Sequence, residues 1–244
     1  MLYNIDCMEL LTTLEDDSVD LVLTDPPYAI DYDRGRGWDS QWTSQAEYLE
    51  WCQEWTRECV RVLKPNRMMV VFGTLKTDTF LHYKLQTSEL DGLYSNEEII
   101  WSYNWGGRSK KNFARKHEYA WCWSKGKEFL FNAEDIRVPR KTTYNNRNYK
   151  RDTTIPTCVW EKNNHTVSKE YCNWHPTQKP FMILERIIKA YTNPGDLVLD
   201  CFSGSASTAI SCDNTNRRFI GSELDTEYYE KSIIRRTSNG ESTI

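Results

Sequence analysis

Four consecutive residues, Asp25-Pro26-Pro27-Tyr28, have side chains and backbone suited to chemistry on an amine. Two prolines fix two φ angles and remove two N–H donors, so the turn is stiff and its carbonyls are left to accept. Asp25 and the Pro26 carbonyl can each accept one N–H of an exocyclic NH2. That takes the nitrogen lone pair out of conjugation and aims it at an electrophile, while Tyr28 can stack on the ring. Asp-Pro is also an ordinary strand-end turn, so the tetrapeptide gains its meaning from what accompanies it.

Two further segments accompany it. Asp200-Cys201-Phe202-Ser203-Gly204-Ser205-Ala206 combines a strand-end carboxylate with small residues that let backbone approach a ligand, ahead of a helix N-terminus. A carboxylate about 20 residues further on can bind ribose hydroxyls, and Glu223 stands there. His175-Pro176-Thr177-Gln178-Lys179-Pro180 reads first as a proline-bounded helix start, with His175 a candidate general base. No phosphate-cradling Gly-x-x-x-x-Gly-Lys-[Ser/Thr] motif is present.

The elements that must position these segments alternate. Strands are predicted at 2–5, 19–24, 68–72, 98–102, 119–124, 197–200 and 218–222. Helices are predicted at 8–14, 45–63, 180–191, 206–212 and 228–236. Lys64-Pro65-Asn66 is expected to end the second helix. Residues 137–171 show no sustained periodicity and are too long for an ordinary loop, which predicts a functional or inserted segment. Strand–helix alternation predicts an α/β fold with a mostly parallel sheet, whose ligands bind at the carboxyl ends of the strands. Asp25–Tyr28, Asp200–Ala206 and Glu223 all fall there.

The chain has 244 residues, 39% of them hydrophobic, enough for one sizeable core. A charged fraction of 27% and the lack of a long apolar run predict no membrane span. The first residues lack the basic and apolar pattern of a signal peptide. The eight scattered cysteines include no Cys-x-x-Cys pair, so reduced thiols in a cytoplasmic protein are expected, without a zinc site or disulfide framework. The net charge of −4 hides an asymmetry. Residues 107–151 carry 13 Lys and Arg against 4 acids, leaving 18 bases and 31 acids elsewhere. Arg108, Lys110, Lys111, Arg115, Lys116, Arg140, Lys141 and Arg147 belong to this stretch, with Tyr144 and Tyr149 interleaved. Phosphate attraction makes it a candidate nucleic-acid surface.

Taken together, Asp-Pro-Pro-Tyr, then His-Pro-Thr-Gln-Lys-Pro, then Asp-x-Phe-x-Gly-Ser resembles the beta class of DNA amino-methyltransferases, in which the catalytic motif precedes the cofactor motif. The resemblance runs from about Tyr3 to Lys231 and includes Asn4-Ile5-Asp6, Arg115-Lys116-His117-Glu118-Tyr119 and Gly221-Ser222-Glu223-Leu224-Asp225. Ala206 departs from it, standing where the family usually has a second glycine. The chain's length is also expected to leave no room for the extra C-terminal domain that some relatives carry.

The resemblance implies a circularly permuted Rossmann-like methyltransferase fold, with residues 1–236 as one catalytic domain. It further implies a target-recognition region inserted at about 132–174 and a tail at 237–244. It makes Asp25, Pro26, Pro27 and Tyr28 catalytic. It gives S-adenosylmethionine to Asp6, Cys7, Asp25, His175, Thr177, Lys179, Phe202, Gly204, Ser205, Ala206, Glu223 and Leu224. Glu223 would hold the ribose, and Thr177 and Lys179 the methionine carboxylate. The implied reaction is direct methyl transfer to adenine N6 in double-stranded DNA, on a flipped base and without a metal. Other readings are a cytosine-N4 enzyme, an RNA or protein-amide methyltransferase, or a silent nucleic-acid-binding relative. A recognition sequence, a homodimeric state and a cognate restriction endonuclease are not fixed by the sequence.

Overall fold

Val19–Thr24 forms β2 of a central sheet in the computed structural model, which describes residues 1–30, 35–75, 83–84, 87–90, 92–140, 151–162 and 170–241. All six β2 residues are buried, because parallel strands flank β2 on both sides and helices cover both faces of the sheet. Such strands read as continuous apolar runs. The acid within the run, Asp20, is compensated by Lys64 Nζ at 2.9 Å, Arg67 Nη2 at 3.1 Å and the Leu197 amide at 2.9 Å.

The other elements are β1 (Leu2–Tyr3), α1 (Cys7–Thr12), α2 (Gln45–Val62), β3 (Leu63–Gly73), β4 (Leu93–Ser102) and β5 (His117–Lys125), then the short strands β6 (Val138–Pro139), β7 (Thr153–Thr154) and β8 (Val159–Glu161). They are followed by α3 (Phe181–Tyr191), β9 (Leu197–Asp200), α4 (Ser207–Asn214), β10 (Arg218–Ser222) and α5 (Thr226–Glu241). Among the described residues the main sheet runs β1-β10-β9-β2-β3-β5-β4-β8. Its first five strands are parallel, β5 is antiparallel to both neighbours, and β8 joins β4 in parallel. The pairing of β1 with β10 places the first strand beside the last, as the permuted arrangement requires.

Side chains of β3 alternate between two cores. Met68, Val70 and Phe72 meet Ile183, Ile187 and Ile188 of α3 on one face. Met69 and Val71 meet Tyr48, Cys52, Trp55 and Cys59 of α2 on the other. Buried residues of α2 recur every three or four positions, and Ser44 caps its start by accepting from the Glu47 amide. Among the described residues, no helix is long and apolar enough to cross a membrane.

Several boundaries differ from expectation: β4 begins at Leu93, five residues early, β1 ends at Tyr3 and α1 spans Cys7–Thr12. β3 begins at Leu63, taking in Lys64-Pro65-Asn66. Val19 pairs with Leu63 but Leu21 with Met68, so the intervening residues form a bulge that tolerates a proline. Val159–Glu161, inside the aperiodic stretch, adds a strand to the sheet edge. Three residues are too few to show a period. The last helix continues to Glu241, past Arg236. There the Thr237 and Ser238 hydroxyls donate to the carbonyls of Ile233 and Ile234. Of the inserted region, the described parts include a β6–β7 pair and Asn132, whose amide and side chain donate to carbonyls at the end of α3.

Candidate active site

Asp25-Pro26-Pro27-Tyr28 leaves the sheet at the carboxyl end of β2. Buried Asp39 holds the backbone at the end of this turn, with Oδ1 accepting from the Tyr28 and Ala29 amides at 2.6 and 2.8 Å and Oδ2 from the Ile30 amide at 3.1 Å. The two proline carbonyls divide their roles. Tyr48 of α2 donates its hydroxyl to the Pro27 carbonyl at 2.8 Å. Among the described residues no hydrogen bond reaches the Pro26 carbonyl.

The Asp25 carboxylate is held at both oxygens. The Tyr28 hydroxyl donates to Oδ1 and the Lys179 ammonium to Oδ2. Lys179 also faces Glu118 Oε2 at 3.3 Å, so one buried cation bridges two carboxylates. Burial pushes the Glu118 carboxyl up and Lys179 opposes that rise. Burial pulls the Lys179 ammonium down, but Asp25 and Glu118 outweigh it and leave it raised. The lysine therefore stays charged. Burial, reinforced by Asp25, raises the Tyr28 phenol well above its ordinary range, so it stays a donor.

Neighbouring strand ends supply a second half-site. Asp200, closing β9, accepts from Thr24 Oγ1 at 2.7 Å and from the Phe202 amide at 3.2 Å. Burial pushes its carboxyl up to about 6. Glu223 comes directly after β10. It accepts from the Gly204 amide at 2.7 Å and the Asp225 amide at 2.9 Å, and burial pushes it up to about 7. Gly204 has φ +50°, and a Cβ there would lie 2.6 Å from His175 Nε2. The imidazole, tilted at 58° against Tyr228 with ring centroids 4.7 Å apart, thus fills the notch the glycine leaves. Ser232 and Arg235 of α5 donate to the Gly204 and Ser205 carbonyls at 2.6 Å each and fix the turn.

Both halves open into one cleft of about 710 Å³. Asp6, Cys7, Asp25, Pro26, Pro27, Tyr28, His175, Thr177, Lys179, Phe202, Gly204, Ser205, Glu223 and Leu224 all line it. Ala206 does not: it caps α4 at φ +59° and is fully buried in the α3 core. The left-handed backbone explains the glycine usual at that position. Lys179 lines the cleft but is engaged by Asp25 and Glu118, not left to a cofactor carboxylate. Cys7 is buried, which raises its thiol pKa and keeps it protonated. All eight cysteines are free.

The basic residues part company. Arg108 and Arg115 line the cleft mouth, and Lys110 and Lys111 are exposed on the same β4–β5 loop. Lys116 instead donates to the carbonyls of Trp105, Gly106 and Gly107 at 2.6, 2.8 and 3.0 Å, so it ties the loop and is not free for phosphate. Arg140 is half-buried and donates to the Thr153 carbonyl at 3.3 Å. Lys141 and Arg147, with Tyr144 and Tyr149, lie outside the described residues.

Asp39, Tyr48 and Glu118 are the site residues that sequence reasoning missed. Tyr48 left a signal, because a tyrosine on the buried stripe of a helix needs a partner for its hydroxyl.

Residues 19–235 match the family model described as DNA methylase, which covers N6 and N4 methyltransferases. The chain belongs to this family. The DNA methylase is 37% identical over 238 residues to the type II methyltransferase M.HpaI of Haemophilus parainfluenzae, covering 96% of this chain and 73% of that protein. It is 33% identical over 244 residues to the DNA adenine methyltransferase YhdJ of Escherichia coli K12, covering 94% of this chain and 80% of that one. Among solved structures, the PvuII DNA methyltransferase, described as cytosine-N4-specific, shares the methylase fold at TM-score 0.77 and 21% identity, covering 98% of this chain and 89% of that one. A complex of M1.HpyAVI with SAM aligns at TM-score 0.65 and 26% identity, covering 96% and 98%.

Proposed function

We propose that this methylase transfers a methyl group from S-adenosylmethionine to the N6 amine of adenine in double-stranded DNA. The observation that carries this reading is the pair of acceptors at the cleft floor: the Asp25 carboxylate and the unengaged Pro26 carbonyl. A carboxylate offers about four lone-pair sites. Tyr28 and Lys179 use two, so Asp25 retains capacity for an amine N–H. The Pro26 carbonyl takes the other N–H. Between them the amine is fixed in rotation and its lone pair is freed. As nitrogen gains positive charge, the Asp25 carboxylate stabilises it without reorganising.

The second half-site fits the cofactor. Glu223 can accept from ribose hydroxyls, and the Gly204 notch lets backbone approach where any Cβ would collide with His175. Phe202, Ser205 and Thr177 line the remainder. S-adenosylmethionine, when bound, supplies an electrophilic methyl group on a sulfonium. The Thr24–Asp200 hydrogen bond ties the two half-sites, so donor and acceptor are held in register.

Adenine is favoured over cytosine by the aspartate at position 25 and by the resemblance to YhdJ. A base inside a duplex cannot reach the cleft floor, so the target is flipped out and stacked on Tyr28, at a cost of a few kcal/mol. The test is incubation with plasmid DNA and labelled S-adenosylmethionine, then nucleoside mass analysis. N6-methyldeoxyadenosine is expected. N4-methyldeoxycytidine, or methylation of RNA or protein alone, would overturn the reading.

A further inference from the structure

Among the described residues, the most exposed large apolar side chain is Phe113, at 104%; the next, Met1, stands at 70%. A single exposed apolar residue is ordinary on a protein surface. Three features set this one apart. It sits among cations, with Lys110 and Lys111 before it and Arg115 after it, where an apolar protein partner would have to desolvate charge. It sits at the cleft rim, because the next two residues, Ala114 and Arg115, line the cleft that holds Asp25. And it is displayed by a built loop. Lys116 gathers three carbonyls at the loop base, Tyr103 and Trp105 stack at 4.7 Å, and Ser109 Oγ accepts from the Lys111 and Asn112 amides at 3.2 and 3.1 Å.

We propose that Phe113 is a wedge that enters the base stack of the bound duplex at the place vacated by the target base. The inference rests on the reading of a flipped base in duplex DNA. A polyanion with an apolar, stacked interior is the partner that satisfies both the cations and the ring. Lys110, Lys111 and Arg115 lie against phosphates, and the Phe113 ring fills the gap and stacks on neighbouring bases. Flipping leaves an unstacked hole whose cost an inserted apolar side chain offsets.

The test begins by mapping the modified site on plasmid DNA, then uses short oligonucleotides containing it. Phe113→Ala should lower the single-turnover rate on matched duplex by roughly tenfold to a hundredfold, the range expected for one lost base–aromatic stack. It should also abolish the fluorescence rise of 2-aminopurine placed at the target. On a duplex mismatched at the target, or on single strands, where the base is already unstacked, the loss should be small. Phe113→Trp should restore the matched-duplex rate. Unchanged cofactor affinity by calorimetry shows that the variant folds.

A wild-type rate on matched duplex in Phe113→Ala would overturn the wedge and leave the proposed function standing. An equal loss on matched, mismatched and single-stranded substrates would make Phe113 a general contact and overturn it too. So would a change in sedimentation without a change in the matched-to-mismatched ratio, which would put a second copy of the chain over the ring. A wild-type enzyme that modifies no duplex DNA would remove the proposed function and the wedge together.

Discussion

Lys179 holds Asp25 from behind, with its ammonium buried between that carboxylate and Glu118. The His-Pro-Thr-Gln-Lys-Pro segment thereby reaches the Asp25 turn from far along the chain and fixes Asp25 Oδ2 in place. Removing one partner of a buried ion pair leaves the others uncompensated.

Lys179→Met should therefore place two carboxylates together without their cation. Glu118, whose rise on burial Lys179 opposes, would then titrate higher. The acid limb of the single-turnover pH profile should move to higher pH as Glu118 takes up a proton beside the Asp25 turn. Stability should fall by about 3 kcal/mol. Adding Glu118→Gln should recover part of both effects. An unshifted acid limb in the single variant would mean that Lys179 does not govern the Glu118 carboxyl.

Asp25→Ala should lower the single-turnover rate by a factor of about 10²–10³, as for other preorganised transition-state groups. Cofactor and DNA affinity should change little, since the demand on the carboxylate grows with charge on nitrogen. A variant within tenfold of wild type would place the catalytic centre elsewhere.

Glu223 should make cofactor binding depend on pH. Its carboxyl is raised from 4.5 to about 7, so the folded apo protein prefers it protonated. That contribution to stability is complete below about pH 4.5 and is lost as pH rises through about 7. Ribose hydroxyls donating to the ionised form would reverse the preference. Cofactor binding at about pH 6.5 should then release protons. Calorimetry in buffers of different ionisation enthalpy should show the release, and Glu223→Gln should abolish it. Identical heats in every buffer for the wild type would remove Glu223 from the ribose site.

Neutralising Lys110, Lys111 and Arg115 should flatten the salt dependence of DNA binding, each lost phosphate contact lowering the slope of log K against log salt by about 0.9. Lys116→Ala should act differently, since its ammonium is already engaged by three loop carbonyls. Freed carbonyls should loosen the loop and weaken duplex binding with the slope kept. A slope that falls equally for Lys116→Ala would return that lysine to the phosphate-binding set.

Gly204→Ala should weaken cofactor binding by at least about tenfold, because the added methyl meets His175 at 2.6 Å and the backbone stands at φ +50°. Calorimetric titration of the variant decides it, and an unchanged affinity would mean the notch is not used.

Local pattern made much of this legible. β2, β9 and β10 fall at the residues predicted, because buried parallel strands are short apolar runs with sharp ends. The cleft gathers the motif residues because strand ends meet by topology. What escaped prediction depends on single polar residues meeting across long separations. Asp39 under Tyr28 and Glu118 on Lys179 leave no periodicity to read, and the periodicity that puts Tyr48 on the buried stripe of α2 does not name Pro27 as its partner. Ala206 was misplaced because its residue type suggests a small ligand-facing position, while its φ of +59° turns it into the core. Lys116 was misplaced because charge count cannot tell a phosphate contact from a loop tie.

The buried hydrogen bond from Thr24 to Asp200 fastens the end of β2, and with it the Asp25 turn, to the end of β9, and with it the Phe202–Ser205 turn. Under the proposed function, chemistry and recognition are then separable inheritances. The edge segment around β8 and the β4–β5 loop could diversify, and a lineage acquire new target sites, while the two strand ends stay tied.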